Sequence, residues 1–432
     1  MKDSLHFTIN IFGVISIWVF TAFFSSVLSQ IFIFSTFIFF ALKGLKFHLF
    51  FVYILFLILS DSRLEILSFI PSVKPLVSLM FYFITFLIIK KSKFSSSLIS
   101  VKFLLPFVIL VFLSYIINDF NTLVLQKSIS YILLFLLIPL LIDNLILENR
   151  NKFIKSTAYI FASVLVLGFI SIYFLDDFSL LKGRYRGVFG NPNGLGIFCL
   201  LFFFIVELSF NKHNNYLNHY EKYFFIFLIF VSLLLTQSRS CLLAILIYYV
   251  FNFLISYSSV LAISFLLFTF IIFGYMSFNL KYLVSFLSLE NYIRIESIED
   301  ASGRYVAWDF LKSKFTIQNV FFGNGIGRTE ILFKNNYSYL SMLGHEGNAH
   351  NSFLTLLYDI GFFGLISLFF YVIKSFLNSV NFIKYIPIIF GVSISAFFES
   401  WLSASLNPFT ILFVFIIVLV QLDNQKLDHV NN

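Results

Sequence analysis

Cysteine is nearly absent from this 432-residue chain, and its two copies, Cys199 and Cys241, both lie inside apolar runs. That count and placement support neither a disulfide framework nor a metal-thiolate site. Charge is scarce too: 12% of residues are charged against 59% hydrophobic, and the mean hydropathy is +0.94. An ordinary soluble domain is excluded, because apolar runs of about 15 to 25 residues recur along the chain, close to the ~20 a helix needs to cross the hydrocarbon core. No internal repeat or low-complexity tract is visible apart from an abundance of phenylalanine, 65 residues. Lipid-facing bulk and a compositional bias account for it without an aromatic ligand path. The first apolar run, from about Phe7, is followed by no convincing small-residue cleavage site and is expected to be a retained helix.

What is there is a polytopic, all-α membrane protein of about 12–14 transmembrane helices. The apolar runs centre near Ser16, Ser35, Ile54, Tyr82, Ile109, Leu136, Val164, Leu201, Phe230, Ile245, Leu267, Leu365, Gly391 and Phe415. Lysine and arginine in short connections are retained on the cytoplasmic side. With about fourteen spans, Lys43/Lys46, Lys90/Lys91/Lys93, Arg150/Lys152/Lys155, Lys212/Lys222 and Lys374/Lys384 all fall on that side, with both termini. The opposite face then receives Asp176 to Asn191, Thr236 to Ser240, the long Ser277 to Ala349, and Glu399 to Pro408. The organisation expected is N-terminal transmembrane helices over 1–175, helices with arginine-bearing external loops over 176–277, a large external loop subdomain over 278–349, C-terminal transmembrane helices over 350–422 and a cytoplasmic tail over 423–432.

The external loops concentrate glycine and arginine. "GRYRGVFGNPNGLG" carries Arg184, Arg186 and the turn-forming Asn191-Pro192-Asn193-Gly194. "TQSRSCLLA" turns between two spans and puts Arg239 at the start of the second; "ASGRYVAWDF" suits an amphipathic helix start, with Ser302 as N-cap and Arg304 in the first turn. An arginine at a helix N-terminus opposes the helix dipole. It becomes a sensible choice if an anion is held there by the guanidinium and the free backbone N–H groups together. One interfacial arginine is explained by snorkelling to headgroup phosphates. Four on one face, Arg184, Arg186, Arg239 and Arg304, point to a shared polyanionic ligand. "FFGNGIGR" lacks the lysine-serine and the strand-turn-helix context of a nucleotide loop, and reads as a set of tight turns.

"GNAHNSFLTLLYDIGFFG" places His350 in front of a span. Taken alone, such a histidine is accounted for as a cap or a hydrogen-bonded interfacial residue. If Asn351 or Ser352 caps the span, His350 sits at the positive end of a helix, where a neutral, proton-accepting imidazole is favoured. His345 and Glu346 lie further into the loop. Asp359, within the span, and Glu399, at the end of the next one, are ionisable groups at or within the membrane, for which a buried hydrogen bond is the alternative to a functional role.

The order of these motifs resembles the bacterial O-antigen polymerase and O-antigen ligase superfamily. "RGVFGNPNGLG", "TQSRSCLLA", "SGRYVAW", "GNGIG", "HNSFLTLLYDIGFFG" and "FFESW" carry the resemblance, over roughly the second half of the chain. The resemblance implies a GT-C-like helical glycosyltransferase of the bacterial inner membrane, with its active site facing the periplasm and with no metal, no cofactor and no nucleic acid involved. It implies an undecaprenyl-pyrophosphate-linked oligosaccharide as donor, and an acceptor glycan on a lipid-linked repeat unit or on lipid A core. Membrane lipids and a regulator of chain length would be the other partners. Carried over by motif, Arg239 and Arg304 correspond to the donor pyrophosphate ligands, Arg186 to a further one, and His350 to the base that deprotonates the acceptor hydroxyl. Arg184, Asn193, Asn351 and Glu399 are supporting candidates. Polymerase is preferred, because such members are numerous and divergent; a ligase to lipid A core, or a relative that transfers glycan to a protein, is the alternative, and a flippase or other transporter the reading from another class. Ionisable residues gathered at one face, without repeats, fit a transporter poorly.

Overall fold

The computed structural model describes residues 2–91, 100–117, 121–174, 176–211, 214–269, 271, 304–345, 347–377 and 382–430. Lys93, Lys212, Ser302 and Glu346, named above, lie outside the described residues, as does the start of the long loop. The described chain is overwhelmingly helical, as it must be where no water can satisfy backbone N–H and C=O groups. Six helices among the described residues are long and apolar enough to cross a membrane, and shorter apolar helices accompany them. All the apolar centres read from the sequence fall inside helices. Leu136 and Val164 share one helix, Thr122–Phe174, of 53 residues, interrupted at Asn149 (φ −160°, ψ 89°). The Asn149 side chain accepts from Lys152 N at 3.0 Å, so it caps a second helical segment there.

The helix Pro192–Ser209 is the most enclosed of the six, with 83% of its span buried. It starts cleanly: Asn191 is extended and accepts from Gly194 N at 2.7 Å, and Pro192 follows at the first helical position. Gly196, one turn in, lets the chain at Ser238 press against this helix; a Cβ there would lie 2.6 Å from the Ser238 side chain. Small residues allow such close approach where lipid supplies no hydrophobic drive between helices. The cysteines are buried and free.

At one end of the bundle, Lys46 pairs with Glu148 (3.2 Å), Lys155 with Glu221 (2.9 Å) and Lys222 with Glu207 (3.0 Å). These pairs join three of the connections that the charge distribution assigns to a common side. The other end carries the short helices of the long loop, Arg304–Lys312, Ile317–Phe322, Arg328–Asn335 and Tyr337–Met342. They build a separate small core from Ala307, Trp308, Leu311, Phe333 and Leu340, closed by Ala349 and Tyr358.

The loop is clasped to the helix Ser352–Leu377 through paired glycines. Gly323 and Gly361 both have positive φ (76° and 70°). Cβ atoms on either would lie 2.4 Å from a carbonyl oxygen of the other segment, Asp359 O or Phe321 O. The "GNGIG" turns donate from Asn324 N and Gly325 N to Asp359 O, at 3.0 and 2.7 Å. The buried Asp359 carboxylate accepts from Gly327 N, Thr329 N and Thr329 Oγ1 at 2.7, 2.8 and 2.7 Å. Of the two readings of Asp359, the geometry gives the buried hydrogen-bonded one, and it makes "FFGNGIGR" a set of turns around an internal carboxylate.

Candidate functional site

A two-residue hairpin ladder, Leu180↔Tyr185 and Leu181↔Arg184, turns at Lys182 and Gly183, both with positive φ (51° and 75°). Such a pair of left-handed residues matches the twist of a tight hairpin. The register directs Arg184 inward: its Nε donates to Thr236 O at 3.0 Å and its Nη2 to Asn193 Oδ1 at 2.9 Å. Asn193, in the first turn of its helix, passes the connection on by donating Nδ2 to Glu399 Oε1 at 2.7 Å.

The turn before Arg239 is made by Gln237 in the left-handed conformation (φ 55°). Arg239 opens the helix Arg239–Ile255; it is exposed and has no hydrogen-bond or ion-pair partner among the described residues. Arg304 opens its own short helix and donates Nη2 to Glu399 Oε1 at 2.8 Å. The Arg184 guanidinium is lowered from its ordinary range by burial and then by the charges of Arg239 and Arg304. Three arginines from three separate loops therefore share one electrostatic field, with Glu399 as the carboxylate among them.

His350 stands at the same place. Its Nδ1 is 3.2 Å from Glu399 Oε2. A carboxylate without a proton can only accept, so Nδ1 carries the hydrogen in this pair; in the neutral form of the ring Nε2 is then the accepting nitrogen. The backbone there is left-handed at His350 (φ 45°), a conformation uncommon outside glycine and visited mainly by asparagine, aspartate and histidine. Surrounding bonds hold it: His350 N donates to Asn348 Oδ1 (2.8 Å) and Trp308 Nε1 to Ala349 O (2.7 Å). Asn351 N donates to Ser400 Oγ (3.0 Å), and Ser352 Oγ to Glu399 O (2.6 Å). Asn351 Oδ1 caps the helix by accepting from Leu354 N at 2.9 Å. Burial pushes the Glu399 carboxyl up, but its His350 bond, the charges of His350 and Arg304 and the Asn193 bond together outweigh it and hold the group below the usual carboxylate range.

The structure thus brings Arg184, Asn193, Arg239, Arg304, His350, Asn351 and Glu399 together. Arg186 is placed apart from them. It is buried, with Nε, Nη1 and Nη2 donating to Phe178 O, Gly190 O and Asp177 O at 2.8, 3.3 and 3.2 Å. Burial and the nearby charge of Arg63 lower its guanidinium. Asn348 and Asp61 escaped the sequence reading. Asn348 could have been found, since an asparagine two residues before His350 suits a local side-chain turn. Asp61 could not: its carboxylate accepts from Gly190 N at 3.1 Å across 129 residues of chain.

Beneath the polar cluster lies an apolar cavity of about 220 Å³, lined among others by Phe353, Leu368, Ile389, Ala396, Leu402 and Phe413. Among the described residues, no group of three or more His, Cys, Asp and Glu could hold a metal ion.

A multi-pass helical membrane protein with clustered arginines and a carboxylate-held histidine at one end is the class that fold and site define. Residues 224–369 match the family model described as O-antigen ligase. The match spans Arg239, Arg304 and His350, and it supports placing the chain in the O-antigen ligase and polymerase superfamily, broadly a surface-polysaccharide ligase or polymerase. No curated protein and no solved structure matches the chain.

Proposed function

We propose that the chain is a membrane glycosyltransferase that joins undecaprenyl-pyrophosphate-linked oligosaccharide repeat units at the periplasmic face of the bacterial inner membrane. The observation that carries this reading is the His350–Glu399 pair at 3.2 Å, set among arginines for which Glu399 is the carboxylate partner found among the described residues. Arg239 and Arg304 hold the donor pyrophosphate, with Arg184 adding to the same field; the apolar cavity below receives part of the lipid tail.

The chemistry is a single displacement. The acceptor hydroxyl gives its proton to His350 Nε2 as its oxygen bonds the anomeric carbon, and the bond from that carbon to the pyrophosphate oxygen breaks. The leaving undecaprenyl pyrophosphate keeps the electron pair, and preorganised guanidinium groups stabilise the developing charge in a water-poor interface. No acid is needed for the leaving group. Glu399 keeps the imidazole in the proton-accepting tautomer and stabilises the imidazolium that forms. One base and one face of attack give inversion at the anomeric carbon, in place of the two-carboxylate arrangement of hydrolases.

The second reading, transfer of glycan to lipid A core, is favoured by the description of the matching family model as O-antigen ligase. Deleting the gene and resolving the surface glycan on gels separates the two. A single repeat left on lipid A core marks a polymerase. Core without any repeat, with polymer accumulating on undecaprenol, marks a ligase. Unchanged glycan in both respects refutes the transferase reading for that pathway.

A further inference from the structure

A second apolar groove, of about 460 Å³, lies between the helices Lys2–Phe24, Lys46–Asp61 and Thr122–Phe174. Phe12, Val19, Phe20, Leu55 and Leu59 line it, and Val188 closes its upper end. It shares no lining residue with the cavity beneath His350 and Glu399. Val188 belongs to the same loop as Arg186, two residues away, and Leu59 leads within four residues to Arg63.

The two arginines at this upper end are close enough for the charge of Arg63 to depress Arg186. Arg186 is fixed by three backbone carbonyls, none of which cancels its charge. Arg63 is exposed and has no hydrogen-bond or ion-pair partner among the described residues. The nearby Asp61 carboxylate is used on Gly190 N and sits in the field of Lys74. An apolar groove under two like charges, one of them buried, is complementary to a lipid whose head bears phosphate.

From this we infer that the groove and the Arg63–Arg186 pair form a second lipid site, which holds the acceptor as a polyprenyl-pyrophosphate-linked glycan while the first site holds the donor. The inference rests on the transferase reading and deepens it, since a polymerase must seat two lipid-linked glycans at once. Continuity of the chain supports the pairing of sites. Arg186 donates to Gly190 O, Gly190 precedes the Asn191 cap, and Asn193 in that first turn bonds Glu399. The acceptor head would then lie along the loop that leads to His350.

Binding of undecaprenyl pyrophosphate to the full chain in nanodiscs of zwitterionic lipid, counted by native mass spectrometry, tests this apart from catalysis. Two bound lipids per chain are expected, falling to one in Arg63→Ala and in Leu59→Trp, which fills the groove, and independently to one in the Arg239→Ala/Arg304→Ala double variant. Arg63 is exposed, so its replacement leaves the fold intact if Leu59→Trp does not. One lipid in the wild type, lost only with Arg239 and Arg304, overturns the second site and leaves the transferase reading standing. Two lipids retained in both groove variants also overturn it. Displacement by phosphatidylglycerol at comparable concentration would make the groove an ordinary phospholipid contact and overturn the acceptor assignment.

Discussion

Glu399 uses its two carboxylate oxygens on different partners: Oε1 accepts from Arg304 Nη2 at 2.8 Å, and Oε2 faces His350 Nδ1 at 3.2 Å. One side chain therefore links the group proposed to bind the donor with the group proposed to take the acceptor proton. Asn193 adds Arg184 to the same network through a bond to Oε1 at 2.7 Å. When a pyrophosphate competes for Arg304, Glu399 loses a cationic partner and its charge falls more fully on His350.

Replacing Glu399 with Gln tests that linkage. The amide keeps the size of the side chain but is neutral and has one accepting oxygen where the carboxylate has two, so it cannot accept from both His350 Nδ1 and Arg304, and the imidazole loses its fixed tautomer. Turnover is expected to fall by about 10²-fold or more, within the range for losing support of a general base, with donor binding changed far less. The variant should also respond differently to acid. The Glu399 carboxyl is held below its ordinary value of 4.5, so its contribution to stability is complete above that value and is lost as pH falls through the lowered one. Thermal unfolding in detergent, followed between about pH 5 and pH 3, should show a shallower loss in Glu399→Gln than in wild type. Equal slopes would mean that the carboxylate is not selectively stabilised in the folded protein.

His350 needs a substitution that respects its backbone. Because φ is 45°, asparagine is a better replacement than alanine: it tolerates the left-handed region. His350→Asn is expected to stay folded and bind lipid-linked donor with wild-type affinity, while transfer falls by about 10²- to 10⁴-fold. Single-turnover transfer together with a donor-binding measurement checks both halves. Near-normal transfer would remove His350 as the base.

Arg239 and Arg304 should differ although both are assigned to the donor. Arg239 has no partner to leave behind among the described residues, so Arg239→Ala should weaken donor affinity by about 10- to 100-fold, the scale of a lost charge-assisted hydrogen bond. Arg304→Ala removes a similar contact and also strips Glu399 of its cation. Its pH–rate profile should therefore move as well as its affinity, whereas that of Arg239→Ala should not. Titration of undecaprenyl pyrophosphate onto both variants, with pH–rate curves alongside, distinguishes these outcomes.

The helical membrane class and the common face of the loops could be read from composition, run length and basic residues, because the bilayer imposes those constraints locally on each span. The Asn351 cap, the Arg239 turn and the "GNGIG" turns were legible for a similar reason, since each is settled within about one turn of chain. The pairing of Glu399 with His350 was not, since the partners are 49 residues apart and meet only through the packing of two helices. Arg184 and Arg186 show the limit most sharply. They are two residues apart in one motif, yet the hairpin register sends Arg184 to Asn193, while the left-handed Gly187 (φ 55°) turns the chain after Arg186, which ends on backbone carbonyls. Residue type and spacing are the same for both; only the turn geometry separates them.

The clasp between "GNGIG" and the helix Ser352–Leu377 should be a determinant of folding and not of chemistry. Asp359→Asn replaces one of two accepting oxygens by a donor that faces Gly327 N or the Thr329 N–H and hydroxyl, all of which also donate in the wild type. Leaving a buried donor unsatisfied costs about 1–3 kcal/mol. Gly323→Ala meets two penalties, a positive φ and a Cβ 2.4 Å from Asp359 O, and should destabilise at least as strongly. Both variants are expected to lower the melting temperature in detergent and the yield of membrane-inserted protein. The fraction that does fold should bind undecaprenyl pyrophosphate normally, because the bonds to Asp359 are made by Asn324, Gly325, Gly327 and Thr329 and not by Arg239, Arg304 or Glu399. Unchanged melting in Asp359→Asn, or a selective loss of turnover in stable protein, would move Asp359 from the scaffold into the reaction.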